Sequence, residues 1–177
     1  MGASTDYIDS LPEDAEEVDL STFEHIEEFD DATWRKIQGR ETMSRLKLPS
    51  ELIKIRTLAF MNARQLTYVT LPSSLRRIWN YAFFSCQGLA MRDLKLPASV
   101  EDLGEFAFYG CRRLTGKLTS HITANMSFYN CKGLTALDLA NCKVLEKSCF
   151  AGCTGLTVLE LPSSLQRIEN GAFVNCT

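Results

Sequence analysis

The sequence repeats one pattern along most of its length. A segment that begins with Leu-Pro and leads to an Ala-Phe pair starts at Leu48, Leu71, Leu96 and Leu161, and every copy places its Phe eleven residues after its Pro. Two further copies lack the Pro but keep the residues around the Phe. The repeated phenylalanines lie 20 to 25 residues apart, at Phe60, Phe83, Phe108, Phe128, Phe150 and Phe173. A period in this range predicts stacked structural units that share one elongated core.

Each unit contains a short segment with apolar residues at alternating positions. Residues 66–71 show this alternation, and residues 134–142 and 156–161 show it with the spacing Leu-x-x-Leu-x-Leu. The alternation predicts a strand with one buried face. The Pro that follows cannot donate to a strand ladder, so it ends the strand. A second extended stretch then leads into the Ala-Phe turn, as in residues 75–78 and 165–168.

The consensus Leu-Pro-Ser-Ser-Leu-x-x-Ile-x-x-x-Ala-Phe-x-x-Cys-x-x-Leu resembles the BspA-like (Treponema-type) class of leucine-rich repeats over residues 46–177. The resemblance implies a right-handed leucine-rich-repeat solenoid of short parallel β-strands, joined by turns and short 3-10 or helical segments. It also implies a role in adhesion or in recognition of other macromolecules. Members of that class occur as surface proteins of bacteria and as expanded sets in protists. The units from Leu114 to Leu139 are shorter and lack the Pro, so we expect a bend there.

Charge is distributed unevenly along the chain. Residues 1–45 hold 13 acidic and 4 basic side chains, whereas residues 46–177 hold 9 acidic and 15 basic ones. We expect residues 1–19 to form an acidic, flexible leader. Such a block is either a solvated tail or an arm that docks on a basic surface, which belongs to a partner or to this chain's own repeats.

Residues 20–45 are predicted to form an N-terminal helical cap or a degenerate first repeat, followed by about six repeats over residues 46–177. Asp30 or Asp31 can cap a helix that begins before Trp34. Ile26 falls where Ile78 falls in a full unit, which suggests equivalent positions. The last repeat stops short of its strand, so we expect an exposed apolar edge beside it.

The cysteines follow the repeat. Five of them lie three residues after a repeat Phe and should form a column in the core: Cys86, Cys111, Cys131, Cys153 and Cys176. Stacked coils would bring them close enough for disulfides. Their odd number and parallel side-chain directions favour buried, reduced thiols that pack as small apolar groups. Cys142, Cys149 and Cys153 form no C-x-x-C pair and have no neighbouring His, so no metal site is predicted.

No catalytic constellation is visible in the sequence. The two histidines, His25 and His121, lie beside no Ser or Cys in a nucleophile motif, and no Gly-rich loop suited to phosphates is present. We therefore expect no enzyme activity, no catalytic residues and no cofactor.

Binding surfaces are the better candidates. Residues between the inward Leu positions should face outward on the parallel strands, namely Tyr68, Thr70, Asp93, Lys95, Asp138 and Glu160. Their mixed charge and one aromatic ring suit a protein partner. Two basic pairs, Arg76-Arg77 and Arg112-Arg113, could meet an acidic partner or the acidic leader. The net charge of −3 and the absence of a basic stripe with interleaved aromatics argue against nucleic acid.

The first residues contain neither a basic n-region nor an apolar stretch of signal-peptide type, and no run reaches the ~18 apolar residues of a membrane span. We therefore expect an intracellular, cytoplasmic location without membrane insertion, with surface exposure only if the natural protein is longer. The leading functional hypothesis is a non-catalytic protein–protein interaction module, such as an accessory or scaffold subunit of a larger assembly. The alternative is a fragment of a cell-surface adhesin that binds host protein or glycan.

Overall fold

The computed structural model describes residues 7–12, 14–38 and 42–177. Over these residues the chain winds as a parallel solenoid of about six coils, with short strands on two sides and tight turns on the third. Helix α1 spans Asp31–Gln38. The strands are β1 (Glu17–Asp19), β2 (Glu28–Phe29), β3 (Arg45–Lys47), β4 (Lys54–Ile55), β5 (Tyr68–Thr70), β6 (Arg77–Ile78), β7 (Asp102–Leu103), β8 (Gly116–Thr119), β9 (Leu134–Asp138), β10 (Val144–Leu145) and β11 (Arg167–Ile168).

One side of the solenoid, here the front sheet, consists of β1, β3 and β5 and continues through β8 and β9. All its pairings are parallel, and the register places Val18 beside Leu46 and Leu46 beside Val69. These three side chains are buried. Because side chains alternate across a strand, their neighbours face outward. Isolated parallel bridges, such as that between Lys95 and Thr119, join the intervening coil to β8.

The second side, here the back sheet, consists of β2, β4, β6 and β7, followed by the pair β10 and β11. Its pairings are also parallel. Between β7 and β10 the short unit does not form a strand. Instead, the Thr123 hydroxyl donates to the Val144 carbonyl at 3.0 Å and accepts from the Glu146 N–H at 3.0 Å. A side chain thus replaces the backbone ladder at this point in the predicted irregular region. The bend itself stays a prediction.

The Ala-Phe turns form the third side, here the turn edge. Every second N–H of a turn donates to the next coil: Tyr81 to the Glu105 carbonyl at 3.0 Å, Phe83 to the Ala107 carbonyl at 2.7 Å and Ser85 to the Tyr109 carbonyl at 2.7 Å. Tyr81 (φ 60°) and Ser85 (φ 55°) adopt left-handed backbone conformations. The chain therefore turns a corner while it still directs alternate N–H groups at its neighbour.

The core contains two columns of side chains that run the length of the array. Successive phenylalanine rings stack at centroid distances from 4.8 to 5.7 Å and interplanar angles of 16° or less, in the order Phe29, Phe60, Phe83, Phe108, Phe128, Phe150 and Phe173. Beside them, each repeat thiol donates to the carbonyl of the preceding coil's phenylalanine, as Cys131 does to Phe108 at 3.2 Å. The predicted stacked core is confirmed.

The N-terminal cap differs from its prediction in two respects. Strand β1 pairs with β3, and Ile8 and Val18 are buried, so the solenoid begins before the predicted boundary at residue 19. The prediction of a flexible leader is wrong for Ile8 and Val18, because their apolar side chains are buried in the first coil. In addition, Phe29 rather than Ile26 takes the position of Ile78, since Phe29 pairs with Ile55 and Ile55 pairs with Ile78. Residues 1–6 of the leader lie outside the described residues.

Helix α1 closes part of the first coil, as a helical cap should. The Asp30 carboxylate accepts from the Thr33 N–H at 2.8 Å and so caps the helix. Trp34 and Ile37 are buried on the inner face, and the Trp34 ring meets Phe60 edge-on at 5.2 Å. The helix therefore lies between β2 and β3, where later coils have the Ala-Phe turn, and packs there against the phenylalanine column.

Candidate protein-interaction surfaces

The first coils of the front sheet are held by ion pairs between strands. Lys47 of β3 lies 2.8 Å from Glu17 and 2.9 Å from Asp19, both in β1, and Arg45 lies 3.2 Å from Glu17. Hydrogen bonds from Ser21 and then Lys47 lower the pKa of Asp19 to about 2. Hydrogen bonds to Glu17 and then Asp19 raise the pKa of Lys47. The acidic segment thus neutralises basic side chains of the next coil.

The same arrangement occurs on the back sheet. Glu28 of β2 contacts Lys54 at 2.6 Å and Arg56 at 2.7 Å, and hydrogen bonds from Lys54 and then Arg56 lower its pKa. The described part of the acidic segment therefore does dock on this chain's own basic residues. The basic residues that form these ion pairs belong to the first coils, and the described acidic residues of this segment form ion pairs with neither of the predicted pairs, Arg76-Arg77 and Arg112-Arg113.

Strand β5 presents two of the predicted strand-face residues. Tyr68 and Thr70 are exposed on either side of buried Val69, and the Tyr68 residue is 38% exposed. The Arg45 guanidinium lies 4.8 Å from the centre of the Tyr68 ring, in cation–π geometry. The Thr70 hydroxyl donates to the Leu46 carbonyl at 3.3 Å. Tyr68 therefore lies on the outward face of β5 with the Arg45 guanidinium over its ring.

Asp93 and Lys95 are exposed but do not lie on a regular strand. Residues Phe83 and Phe108 are 25 apart, two more than Phe60 and Phe83. The longer unit places Asp93 in a left-handed conformation (φ 53°), where its carboxylate accepts from the Lys117 N–H at 2.7 Å. Asp93 therefore fastens two coils together. It is exposed, as predicted, but it does not lie in a regular strand.

Asp138 and Glu160 complete the predicted set. Asp138 ends strand β9, is half-buried and lies 3.8 Å from the Lys117 ammonium. Glu160 is exposed and lies beyond the isolated bridge at Val158, not in a strand. In the same coil Leu159 is 45% and Leu161 47% exposed, although their spacing predicts inward positions. The expected exposed apolar edge is therefore present at this coil.

The two basic pairs have different environments. Arg76 forms an ion pair with Glu101 at 2.5 Å, and Arg77 lies in β6 beside Asp102 of β7 in the register. Arg112 and Arg113 are exposed in the turn after Cys111, and within the described residues neither forms an ion pair. Arg112-Arg113 is thus the pair whose charge remains available.

The turn edge carries aromatic columns that the sequence reasoning missed. Tyr81 stacks on Phe106 at 4.8 Å and 5°. Phe84 stacks on Tyr109 at 4.8 Å, and Tyr109 stacks on Tyr129 at 4.9 Å. All five rings are half-buried. The signal that could have revealed them is the recurrence of aromatic residues two places before and one place after the buried Phe.

Most of the cysteines are buried as unreactive thiols. All seven thiols are free, and Cys176 alone among them is not fully buried. Burial raises the pKa of Cys111 and of Cys131, and it raises the pKa of Cys153 to about 12. These groups are therefore protonated near neutral pH, whereas a nucleophilic cysteine needs the thiolate. Across the described residues, no cluster of His, Cys, Asp and Glu has metal-binding geometry.

Two pockets lie beside these surfaces. A shallow pocket of about 200 Å³ lies between helix α1 and the next turn, where Trp34, Leu58 and Met61 line it. A second pocket, of about 280 Å³, lies on the front side beside Lys47 and Pro72. Both are smaller than the ~300–1,000 Å³ of small-molecule sites. The extended surfaces are the larger recognition features. None of the described helices is long and apolar enough to cross a membrane.

Stacked parallel coils with a phenylalanine column and a thiol column define a leucine-rich-repeat solenoid. The family model described as BspA type leucine-rich repeat region matches residues 37–120 and 87–177, with six copies. The chain therefore belongs to the BspA-type leucine-rich repeat proteins, as its motif predicted.

Solved structures support this assignment. The leucine-rich repeat protein of T. pallidum is 26% identical with a TM-score of 0.75, and the match covers 92% of this chain and 77% of that one. A leucine-rich repeat protein of Bacteroides ovatus is 25% identical with a TM-score of 0.73, over 90% of this chain. This chain spans 43% of the Bacteroides protein. A leucine-rich repeat protein of Eubacterium ventriosum, 18% identical with a TM-score of 0.64 over 76% of this chain and 44% of that one, shares the fold. No curated protein matches the sequence significantly.

Proposed function

We propose that this chain is a non-catalytic protein-binding module and that it recognises its partner through the front sheet, as an accessory or scaffold subunit of a larger assembly. The observation that supports the proposal most directly is the ordered outward face of β5, where Tyr68 stands over Arg45 between flanking polar residues. Ordered aromatic and Arg side chains on a rigid surface are typical of binding hot spots. Asp93 and Asp138 serve chiefly to hold Lys117 and its coil, so Tyr68, Thr70, Lys95 and Glu160 are the contact residues in this proposal.

The absence of catalysis and the location inside the cell belong to the same proposal. Protonated, buried thiols offer no nucleophile. Seven free cysteines also suit a reducing compartment better than an oxidising one. Cell fractionation with an antibody against the protein tests the location. A protein found on the outer face of the cell would favour adhesion instead.

Affinity capture with matched variants tests the binding surface. The full chain, the double variant Tyr68→Ala/Lys95→Glu and the back-sheet variant Arg77→Ala are immobilised and exposed to extract from the source cell. Mass spectrometry should find a protein that the wild type and Arg77→Ala retain and that the front-sheet variant loses. If no retained protein depends on Tyr68 or Lys95, the front sheet is not the recognition surface.

A further inference from the structure

The stacked rings of the turn edge leave a particular kind of surface. We name the aromatic strip as the group Tyr81, Phe84, Phe106, Tyr109 and Tyr129. Within each column the rings lie face to face at 4.8–4.9 Å and within 10° of parallel. Tyr109 is covered by a ring on both faces, and each of the other four rings is covered on one face. The ring edges, which carry the positive end of the ring quadrupole, and the tyrosine hydroxyls are not used in this stacking.

Two members of the strip occupy backbone positions that do not favour large side chains. Tyr81 has φ 60° and Phe106 has φ 57°, whereas the equivalent residue of the last repeat is Gly171 with φ 72°. A residue other than Gly in this conformation costs on the order of 1 kcal/mol. The coil forms with Gly171, so the turn itself does not require a ring. Stacking offsets part of the cost, and the exposed edges provide a further reason for an aromatic residue.

Basic side chains accompany the strip along the same turns. Arg64, Arg112 and Lys132 each lie four residues after a buried Phe and are exposed. Their turns are stacked closely: a Cβ built on Gly133 would lie 3.1 Å from the Arg112 carbonyl oxygen, and one on Gly155 would collide with the Lys132 carbonyl oxygen. In the described part of the chain none of these three cations, nor Arg113, is ion-paired.

Ring edges and unpaired cations select an anionic partner. Sugars and nucleic-acid bases stack on aromatic faces, and most faces of the strip are already covered by a neighbouring ring. Carboxylates can meet the ring edges, the hydroxyls and the guanidinium groups together. At one end of the strip, the pocket of about 200 Å³ lined by Trp34, Leu58 and Met61 offers room for an apolar side chain.

We propose that the turn edge is a second docking surface, which binds an extended acidic segment of a partner protein along the aromatic strip. Its carboxylates face Arg112, Arg113 and Lys132, and its apolar side chains lie against the rings and the pocket. This surface is distinct from the front sheet and binds independently of it.

A labelled peptide tests the proposal on the full chain. The probe is a fluorescein-labelled dodecapeptide in which Glu alternates with Leu, and its matched peptide has Gln in place of Glu. Fluorescence anisotropy measures binding to the wild type, to Arg112→Glu/Arg113→Glu and to the matched pair Arg76→Glu/Arg77→Glu. The same series includes Phe106→Gly, which removes a ring where glycine suits the backbone, and Tyr68→Ala on the front sheet. Circular dichroism checks that each variant is folded.

The wild type should bind the Glu peptide saturably, and at least about fivefold more tightly than the Gln peptide. Reversal of Arg112 and Arg113 should weaken binding about tenfold or more, whereas reversal of Arg76 and Arg77 should change it less than about twofold. Phe106→Gly should weaken it about threefold.

Three results would overturn the proposal: equal loss in both Arg pairs, equal binding of the two peptides, or no saturable binding. If the wild type self-associates and Arg112→Glu/Arg113→Glu abolishes that association, a second copy of the chain occupies the turn edge instead. Tyr68→Ala should leave peptide binding intact, so failure here is separable from failure at the front sheet.

Discussion

Replacement of Phe108 by Ala should destabilise the solenoid more than the same replacement of Phe173. Phe108 is fully buried and stacks on Phe83 at 4.9 Å and on Phe128 at 5.3 Å, whereas Phe173 is partly buried and stacks on Phe150 alone, at 5.7 Å. Truncation of a buried Phe to Ala costs about 3–5 kcal/mol, and a ring pair adds about 0.5–1.5 kcal/mol. With two pairs lost, we expect at least about 4 kcal/mol for Phe108→Ala, against roughly 2 kcal/mol for the partly buried Phe173, which loses one pair.

Urea unfolding measures both effects with two probes. Both tryptophans, Trp34 and Trp79, precede Phe108, so their fluorescence reports on the first coils, while circular dichroism reports on all coils. In a repeat array each coil interacts mainly with its neighbours. A break at Phe108 should therefore separate the two transitions, with the circular dichroism signal lost at lower urea. The reasoning is refuted if Phe108→Ala costs no more than Phe173→Ala.

Three further predictions follow from single contacts. Hydrogen bonds from Ser21 and Lys47 lower the pKa of Asp19 from 3.8 to about 2 in the fold. The stability that ionised Asp19 adds is therefore nearly complete above pH 4 and is lost as the pH falls towards 2. The urea midpoints of wild type and Asp19→Asn should converge over that range. Cys176 should react first with a thiol reagent under native conditions, since the other cysteines are buried; peptide mapping after brief labelling checks this order. Gly88→Ala should cost more than about 2 kcal/mol in chemical denaturation, because its Cβ would collide with the Arg64 carbonyl oxygen, which belongs to rigid backbone.

The periodic features of this fold follow directly from the sequence. A column of Phe60, Phe83 and Phe108 requires only that equivalent residues stack, and the same holds for the thiols that follow them. The β1 strand could not be predicted in this way, because three residues of an acidic segment become a strand only through contact with β3, whose sequence is distant. The pattern of apolar residues within a short segment does not show which distant strand that segment will pair with.

The turn edge was missed for a different reason. Left-handed backbone is usually predicted from Gly or Asn, but Leu58, Tyr81 and Phe106 adopt it here. Hydrogen bonds to the next coil fix the conformation against the local preference of these residues. Likewise, the two additional residues between Phe83 and Phe108 displaced Asp93 from a strand position. The strand positions of Tyr68 and Thr70 were thus predicted correctly in a 23-residue unit, whereas the strand position of Asp93 was not, because its unit is two residues longer.

The hydrogen bonds of the turn edge also determine how the molecule should respond to mechanical tension. Within the described residues, most coils are hydrogen-bonded to the next along the front sheet, the back sheet and the turn edge. No strand there spans more than one coil, so a pulling force detaches one coil at a time. Each rupture would free 20 to 25 residues, which is about 70–90 Å of extended chain. The protein should therefore lengthen in regular steps and yield gradually, as an elastic tether does, while the coils that remain attached keep their form.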